Sequence, residues 1–304
     1  MDGLLIVDKP AGPTSHDVVA RVRRILGEPR IGHTGSLDPA ASGVLPLVVG
    51  RATRLAQFLS SADKVYEATI ALGIETDTYD AAGRPVGEPY SGPFPSREAI
   101  ERALDEFRGT FLQQPPAFSA KKIEGTRSYT HAREARRSAF GAKAAALPAP
   151  VSVTAHAIDL LDVEDGRVAL RVHCGAGFYV RSLAHDLGER LGTGAHLAAL
   201  RRTRSGDAAL ADAVPLAAIE RDREAALHAL VPLAKMLPAL AAVVLTLEGV
   251  QRASHGRDVR PADVAGPALN AGPHVRLLDS SGELVGIAEP GSTPGLLHPS
   301  VVLR

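Results

Sequence analysis

The sequence from Arg30 to Gly50 reads Arg-Ile-Gly-His-Thr-Gly-Ser-Leu-Asp-Pro-Ala-Ala-Ser-Gly-Val-Leu-Pro-Leu-Val-Val-Gly. Its glycines allow the backbone to turn sharply and to approach a ligand closely, because a residue without Cβ tolerates positive φ. Pro39 disfavours the α region for the residue before it, so Asp38 is predicted to be extended, with its carboxylate held in one direction. The apolar residues from Val44 to Val49 are typical of a buried strand. The stretch therefore predicts a loop that presents one carboxylate and is anchored by a strand.

Two strings in this loop carry a resemblance to a known family. Residues 32–39, Gly-His-Thr-Gly-Ser-Leu-Asp-Pro, and residues 43–46, Gly-Val-Leu-Pro, resemble the catalytic loop of the TruB family, the tRNA pseudouridine-55 synthases. An Asp-Pro in a Gly-rich turn is otherwise an ordinary turn former. Ser36 stands where the family usually has Ala, a small-for-small change. The resemblance implies that Asp38 is the essential carboxylate and that His33 contacts or replaces the flipped nucleotide.

Size and composition indicate a globular protein. With 304 residues, 45% of them hydrophobic, the chain is long enough for one large domain and one small one. No apolar run approaches the ~20 residues of a membrane span, and the N-terminus resembles no secretory signal, so we expect a cytoplasmic protein without membrane contact. The single cysteine, Cys174, excludes an intrachain disulfide and a thiolate metal cluster; sites built from His and carboxylates remain open.

A second region supplies a tyrosine and two carboxylates. Lys64 to Gly73 alternates with period two, as strands do, with Tyr66 on the apolar face, where a tyrosine is typically a core residue. Residues 73–80, Gly-Ile-Glu-Thr-Asp-Thr-Tyr-Asp, resemble the family's Gly-x-x-Thr-Asp-Thr-x-Asp, and that match implies that Tyr66 is the active-site tyrosine. The spacing of Asp77 and Asp80 also suits a metal site or an acid/base pair, but we favour a turn capped by side chains and predict no metal.

The most basic segment follows. Residues 113–125, Gln-Gln-Pro-Pro-Ala-Phe-Ser-Ala-Lys-Lys-Ile-Glu-Gly, resemble another family string, and Lys and Arg outnumber Glu from there to Ala145. Because the formal net charge is zero, an RNA partner requires such a local patch. Its cations can neutralise phosphates, and Tyr129 and His131 can stack on unpaired bases, although a solvated surface helix would look similar. We predict an RNA-contacting insertion at about residues 113–150.

Two later strings complete the resemblance. Residues 172–183, Val-His-Cys-Gly-Ala-Gly-Phe-Tyr-Val-Arg-Ser-Leu, resemble the family's strand-to-helix turn, in which a Tyr and an Arg, here Tyr179 and Arg181, face the active site. The family often has Lys and Thr where this chain has Ala176 and Phe178, so one positive contact to RNA is absent; we expect turnover to survive that. In the string Leu-Arg-Arg-Thr-Arg-Ser-Gly, Leu200 matches the position that packs on the target uracil; by itself it would be an ordinary core leucine.

The fold implied by the resemblance is α+β, with a mixed, largely antiparallel central sheet and flanking helices, the pseudouridine synthase fold. We predict a catalytic domain at residues 1–236. Residues 243–304 contain short strands and a hairpin-like pair around Ser281-Gly282. They look like a small PUA-like RNA-binding β-barrel, and a generic small β-barrel without RNA contact is the alternative.

The implied reaction is the isomerisation of uridine 55 in the T-loop of tRNA. It requires an ionised carboxylate beside C1′, an extruded nucleotide and a closed pocket, and neither cofactor nor metal. Arg181 is the expected partner of Asp38, because a guanidinium within ~4–6 Å favours the ionised carboxylate. Tyr66 is the candidate for stacking and proton transfer, with Tyr179 and Leu200 as walls. We expect a monomer that needs no protein partner.

Two other classes of function remain. A non-catalytic RNA-binding or RNA-chaperone protein would not need Asp38. A glycosidase or hydrolase would pair Asp38 with Asp77 or Asp80 at ~5–9.5 Å and use water. The chain has no Gly-x-Ser-x-Gly, no phosphate-binding Gly-rich loop and no His/Cys metal spacing, which weakens the hydrolase and nucleoside-triphosphatase options.

Overall fold

The structure is a computed structural model, which describes residues 1–119, 121–123, 126–127, 147–266 and 272–304. Most of the predicted RNA-contacting insertion, including Tyr129 and His131, lies outside the described residues. None of the helices in the described ranges is long and apolar enough to cross a membrane.

The chain divides into two compact units. The first unit consists of Met1–Leu37, Leu45–Ser60 and Asp207–Arg304, and the second unit consists of Asp38–Val44 and Ser61–Gly206. The strands are β1 (Gly3–Lys9), β2 (Ile31–His33), β3 (Ser42–Val49), β4 (Lys64–Leu72), β5 (Glu75–Thr76), β6 (Pro85–Val86), β7 (Gly109–Gln113), β8 (Lys122–Ile123), β9 (Thr126–Arg127), β10 (Val151–Glu164), β11 (Arg167–Cys174), β12 (Ala195–Ser205), β13 (Ala208–Ala209), β14 (Val214–Pro215), β15 (Val231–Pro232), β16 (Ala242–Val244), β17 (Val275–Leu278), β18 (Leu284–Pro290) and β19 (Leu297–Val302). The α-helices are α1 (Ser15–Leu26), α2 (Ala56–Ser60), α3 (Arg97–Leu104), α4 (Val180–Leu191), α5 (Leu216–Arg221), α6 (Arg223–His228) and α7 (Leu247–Ser254).

The second unit is built on five strands in the order β12-β4-β11-β10-β7, each antiparallel to the next. Ser42 and Gly43 of β3 pair with β12 in parallel, so the sheet is mixed and largely antiparallel, as predicted. Strand β4 has the predicted alternation, because Tyr66 and the residues at 68, 70 and 72 are all buried. A turn at Asp165 and Gly166, both with positive φ, joins β10 to β11 as a β-hairpin.

The first unit contains the N-terminal strand and helix. Strand β1 lies between β14 and β3, and β2 pairs antiparallel with β3. Helix α1 begins one residue after Thr14, which caps it through a reciprocal pair of hydrogen bonds with Asp17. By residue type Ser15 would also be a plausible cap, but it is the first residue of the helix. The Ser15 hydroxyl instead accepts a hydrogen bond from the Leu37 amide at 2.8 Å and donates one to the Leu37 carbonyl at 3.1 Å, which fixes the residue preceding Asp38.

The C-terminal residues of the first unit form a separate four-stranded sheet in the order β16-β17-β18-β19. Its core includes Val275, Leu277, Val285 and Ala288, all fully buried. The predicted closed barrel is not found among the described residues, because β16 and β19 end the sheet on opposite sides. Alternating residues predict strands but do not determine whether the first strand closes on the last. The domain division between residues 236 and 243 stays a prediction.

Gly43 lies where β3 pairs with Arg202 of β12, and it gives a test of the fold. Its φ is +101°, and an added Cβ would lie 2.1 Å from the Arg202 carbonyl oxygen. We expect Gly43→Ala to destabilise the protein by about 3 kcal/mol or more, because positive φ and a backbone clash combine. Gly12→Ala is the control, since Gly12 has φ +112° but no atom within 4 Å of the added Cβ. Urea unfolding measures the free energy of unfolding of both variants. An equal decrease in Gly12→Ala and Gly43→Ala would contradict the clash.

Candidate active site

Asp38 and Arg181 form a two-pronged ion pair. Arg181 Nε lies 2.8 Å from Asp38 Oδ2, and Arg181 Nη2 lies 3.3 Å from Asp38 Oδ1. The arginine side chain is only 7% exposed, whereas the aspartate side chain is 42% exposed. Charge-assisted bonds from a planar guanidinium fix the direction of the carboxylate as well as its position. The negative charge of Asp38 is therefore accessible to solvent, and the buried Arg181 guanidinium sets its direction.

The guanidinium of Arg181 is itself held by backbone groups. Nη1 donates to the Thr78 carbonyl at 3.2 Å, and Nη2 donates to the Phe118 carbonyl at 2.9 Å. A second carboxylate, Asp80, lies 4.0 Å from Arg181 Nε. Because carbonyls and carboxylates approach it from several directions, the guanidinium has one favoured orientation, and that orientation determines where Asp38 points.

The turn that carries Asp80 is the side-chain-capped turn predicted from the sequence. Asp80 Oδ1 accepts hydrogen bonds from the Thr78 hydroxyl at 2.6 Å and the Ala82 amide at 3.0 Å, and Asp77 Oδ1 accepts one from the Arg84 amide at 2.8 Å. Asp80 nevertheless also faces Arg181, a contact that the sequence analysis did not predict. The Thr-Asp-Thr-x-Asp string indicates the turn but not the contact of Asp80 with Arg181.

Gln113 fixes the start of helix α4, on which Arg181 lies. Its side-chain amide donates to the Tyr179 carbonyl at 3.0 Å and accepts from the Tyr179 amide at 2.8 Å. One turn of helix further, the Ser182 hydroxyl donates to the Gln114 carbonyl at 2.6 Å. Gln113 is 1% exposed, so both hydrogen bonds are shielded from water. The string at residues 113–125 does not by itself indicate this role for Gln113.

Both predicted tyrosines are neutral phenols influenced by Asp38. Tyr66 is buried, and burial raises the pKa of its phenol; the hydrogen-bonded Arg202 guanidinium opposes this rise in pKa, and the Asp38 charge adds to it. Burial also raises the pKa of Tyr179, against the effects of the Ser119 hydroxyl and Arg181. Each phenol therefore keeps its proton through neutral pH.

A pocket open to solvent lies beside the ion pair. Leu200, on β12, lies in its wall. The lining residues are Asp38, Ala40, Ala41, Asp80, Arg181, Leu197, Ala198, Ala199 and Leu200.

His33 and Phe178 each meet an aromatic ring of their own unit. His33 belongs to the first unit, at the end of β2, where its ring meets that of His16 edge-on at 5.2 Å. Phe178, one of the departures from the family pattern, is 8% exposed and meets Phe111 edge-on at 6.1 Å. Phe178 is therefore a core residue of the second unit.

Tyr79 was not singled out by the sequence analysis, and it has a backbone conformation that side chains rarely adopt. Its φ is +62°, and its ring stacks on His185 at 3.9 Å with an interplanar angle of 7°. His185 Nδ1 in turn lies 3.2 Å from Glu75 Oε1. Tyr79 separates Thr78 from Asp80, the two residues of this turn that face Arg181. The stack thus stabilises a strained turn at the site.

Asp186 on α4 gives a pH-dependent prediction. Burial raises its pKa from 3.8 to about 6. Because the pKa is higher in the folded state, folding favours the protonated carboxyl, and ionisation of Asp186 destabilises the folded protein. This destabilisation is absent below about pH 4, grows up to about pH 6 and persists above it. We expect Asp186→Asn to stabilise the protein by about 1 kcal/mol at pH 7.5, after allowing for partial exposure, and not at pH 4. Thermal unfolding at both pH values measures this, with the exposed Glu88→Gln as the control. A gain independent of pH would contradict it.

Comparisons with known proteins give two family matches, which together span residues 23–250. Residues 23–180 match the family described as TruB family pseudouridylate synthase (N terminal domain), and residues 181–250 match the tRNA pseudouridylate synthase B C-terminal domain. The chain is 44% identical to tRNA pseudouridine synthase B of Solibacter usitatus over 100% of both chains. It is 47% identical to the protein of the same name from Gloeobacter violaceus, over 81% of this chain and 82% of that one.

Solved structures with the same fold are also similar. One is a chain in the structure of an H/ACA RNP bound to a substrate RNA containing 2'-deoxyuridine, with a TM-score of 0.72 and 26% identity, covering 99% of this chain and 85% of that chain. Another is a chain of a Cbf5-Nop10-Gar1 complex, with a TM-score of 0.71 and 28% identity at the same coverage.

Proposed function

Because the chain belongs to the TruB family of pseudouridylate synthases, we propose that it isomerises uridine 55 in the T-loop of tRNA, with Asp38 as the essential carboxylate. The family makes the protein a pseudouridine synthase, an isomerase. The observation that carries the assignment of Asp38 is its ion pair with the buried Arg181, in the wall of a pocket open to solvent. The relatives named tRNA pseudouridine synthase B support tRNA as the substrate.

The reaction rearranges one nucleotide without adding or removing atoms. The bond between N1 and C1′ breaks, the uracil turns over while it is held, and C5 forms the new bond to C1′. C5 then loses its proton and N1 gains one. A carboxylate at C1′ serves this sequence either as a nucleophile or as a negative charge opposite the developing cation. Asp38 supplies that group, and no metal or redox step is required.

Arg181 keeps this carboxylate ready for the reaction. Once an extruded base covers the pocket, water that now solvates Asp38 is displaced, and the desolvated charge needs a fixed partner. The guanidinium provides it at 2.8 Å. The direction of the carboxylate is set before the substrate binds, so little reorganisation accompanies the chemical step.

The remaining predicted residues surround the base and the RNA. Tyr66 stacks on the uracil and moves the proton between C5 and N1, with Tyr179 and Leu200 as walls and His33 contacting the RNA next to the extruded nucleotide. The insertion at residues 113–150 and the PUA-like C-terminal residues add phosphate contacts. We also propose that the protein acts in the cytoplasm, as a monomer without a protein partner.

Tyr66→Phe separates stacking from proton transfer. We expect kcat to fall about 100-fold with little change in tRNA affinity, because the phenyl ring still stacks while the phenol proton is lost. Release of tritium from 5-tritiated uridine in tRNA measures kcat, and filter binding measures affinity. Tyr90→Phe is the matched control, since the Tyr90 hydroxyl donates only to the Pro93 carbonyl. Unchanged kcat in Tyr66→Phe would leave that residue with stacking alone.

Mapping of pseudouridine in tRNA treated with the purified protein tests the function as a whole. We expect one new pseudouridine, at position 55 of the T-loop. Pseudouridine at another position would contradict the proposed site. Release of free uracil would instead support a hydrolase, and binding without either product would support an RNA-binding protein.

A further inference from the structure

Two histidines and an aspartate that have no part in the proposed reaction converge on the surface of the second unit. Asp63 Oδ2 lies 3.3 Å from His156 Nε2 and 3.8 Å from His173 Nε2. The two imidazole rings are 4.8 Å apart, with an interplanar angle of 50°. One carboxylate oxygen thus faces the Nε2 atoms of both rings. These three atoms, each able to bind a metal ion, lie within 4.8 Å of one another.

A β-bulge brings the two histidines together. Ala155 pairs with Cys174 and Ala157 pairs with His173, so His156 is the extra residue of β10. Bulges redirect a side chain from its regular position on a strand. Here the redirection leaves both His156 and Ala157 opposite His173, with the His156 imidazole beside that of His173.

Asp63 is held at the same edge by the neighbouring strand. His173 pairs with Val65 of β4, two residues after Asp63, and the Asp63 carbonyl accepts a hydrogen bond from the Gly206 amide at 2.8 Å. The three ligand residues therefore come from β10, β11 and the residue before β4. This segment of backbone is fixed on both sides, so the ligand positions are largely formed before any ion binds.

We propose that Asp63, His156 and His173 bind one divalent transition-metal ion, with Zn²⁺ the best match. Tetrahedral Zn²⁺ with bonds of about 2.0–2.1 Å separates its ligand atoms by about 3.3 Å, close to the 3.3 and 3.8 Å between the carboxylate oxygen and the two nitrogens. Two imidazoles favour Zn²⁺ over Mg²⁺ or Ca²⁺, which prefer oxygen ligands.

The fourth position of the ion belongs to water. The side chains of Asp63, His156 and His173 are 52%, 40% and 42% exposed, so solvent reaches the site. Cys174, the neighbour of His173, is 1% exposed and points to the other face of the strand; burial raises the pKa of its thiol to about 12. The site therefore has two nitrogens and one oxygen from the protein, and no thiolate. A bound ion would link β10, β11 and the start of β4, and thereby stabilise the folded state.

The test uses the untagged full-length protein, stripped with chelator and titrated with Zn²⁺ at pH 7.5. We expect one tightly bound equivalent per chain by equilibrium dialysis and metal analysis, and a rise in Tm of about 5 °C when free Zn²⁺ is 100 times Kd. The variant H156A/H173A should lose that equivalent and the rise in Tm. The control H228A/H298A removes two exposed histidines from other places, one of which, His298, pairs with a single aspartate.

The control should retain both effects, and Co²⁺ should give the visible absorption of a low-coordinate site in the wild type and the control only. Equal Zn²⁺ binding by H156A/H173A and the wild type would overturn the proposal, as would the absence of a bound equivalent at micromolar Zn²⁺. If H156A/H173A failed to fold, the conservative single variant D63N would decide. It keeps the shape of Asp63 and should weaken Zn²⁺ binding at least tenfold, and unchanged binding would overturn the site.

Discussion

Asp38→Asn is expected to abolish turnover while leaving the fold and tRNA binding intact. Asparagine has the shape of aspartate and can still accept a hydrogen bond from Arg181, so the loop keeps its position. It has no negative charge to oppose the cation that develops at C1′, and its amide is a poor nucleophile. We expect kcat to fall about 10⁴-fold or more, the scale seen when a charged group of a catalytic set is removed.

Three measurements on Asp38→Asn separate catalysis from structure. Tritium release gives kcat, filter binding gives tRNA affinity, and circular dichroism gives Tm. Asp77→Asn is the matched control, because Asp77 accepts a hydrogen bond from the Arg84 amide in a turn and asparagine can still accept it. Asp77→Asn should remain active. Turnover by Asp38→Asn within tenfold of the wild type would remove Asp38 from the chemistry.

Arg181→Lys is expected to lower kcat about 10³-fold although the positive charge remains. A lysine ammonium is a point charge and cannot span the Asp38 carboxylate, the Thr78 carbonyl and the Phe118 carbonyl at once. The carboxylate would lose its two-pronged partner, which is the feature that fixes its direction. Since the side chain is only 7% exposed, we also expect a lower Tm, because buried carbonyls lose their hydrogen bonds.

The control for Arg181→Lys is Arg190→Lys on the same helix. Arg190 is 56% exposed and pairs with Glu106, an exposed contact worth little. Its replacement should change neither kcat nor Tm. A large fall in Tm without a fall in kcat for Arg181→Lys would show that the arginine supports the fold alone.

The sequence allowed several parts of the site to be predicted residue by residue. The alternating strand of Tyr66 and the capped turn at Asp80 both follow from near neighbours. The role of Gln113 at the start of α4, by contrast, depends on a side chain of β7 reaching the backbone of Tyr179. The stack of Tyr79 on His185 likewise joins a turn to a helix that follows about a hundred residues later. Neither partner is suggested by local pattern.

Local sequence is enough to predict many of the strands, helices and turns, and it shows the residue types that the chemistry needs. These depend on φ/ψ preferences, side-chain periodicity and caps, which act over a few residues. The pairing of Arg181 with Asp38 across 143 positions of the chain was expected only from the family resemblance, and the structure adds its two-pronged geometry. The tertiary structure alone shows that the described C-terminal strands form an open sheet and that a bulge places His156 beside His173. Such contacts depend on strand register, and a shift of one residue turns every side chain of a strand to the opposite face.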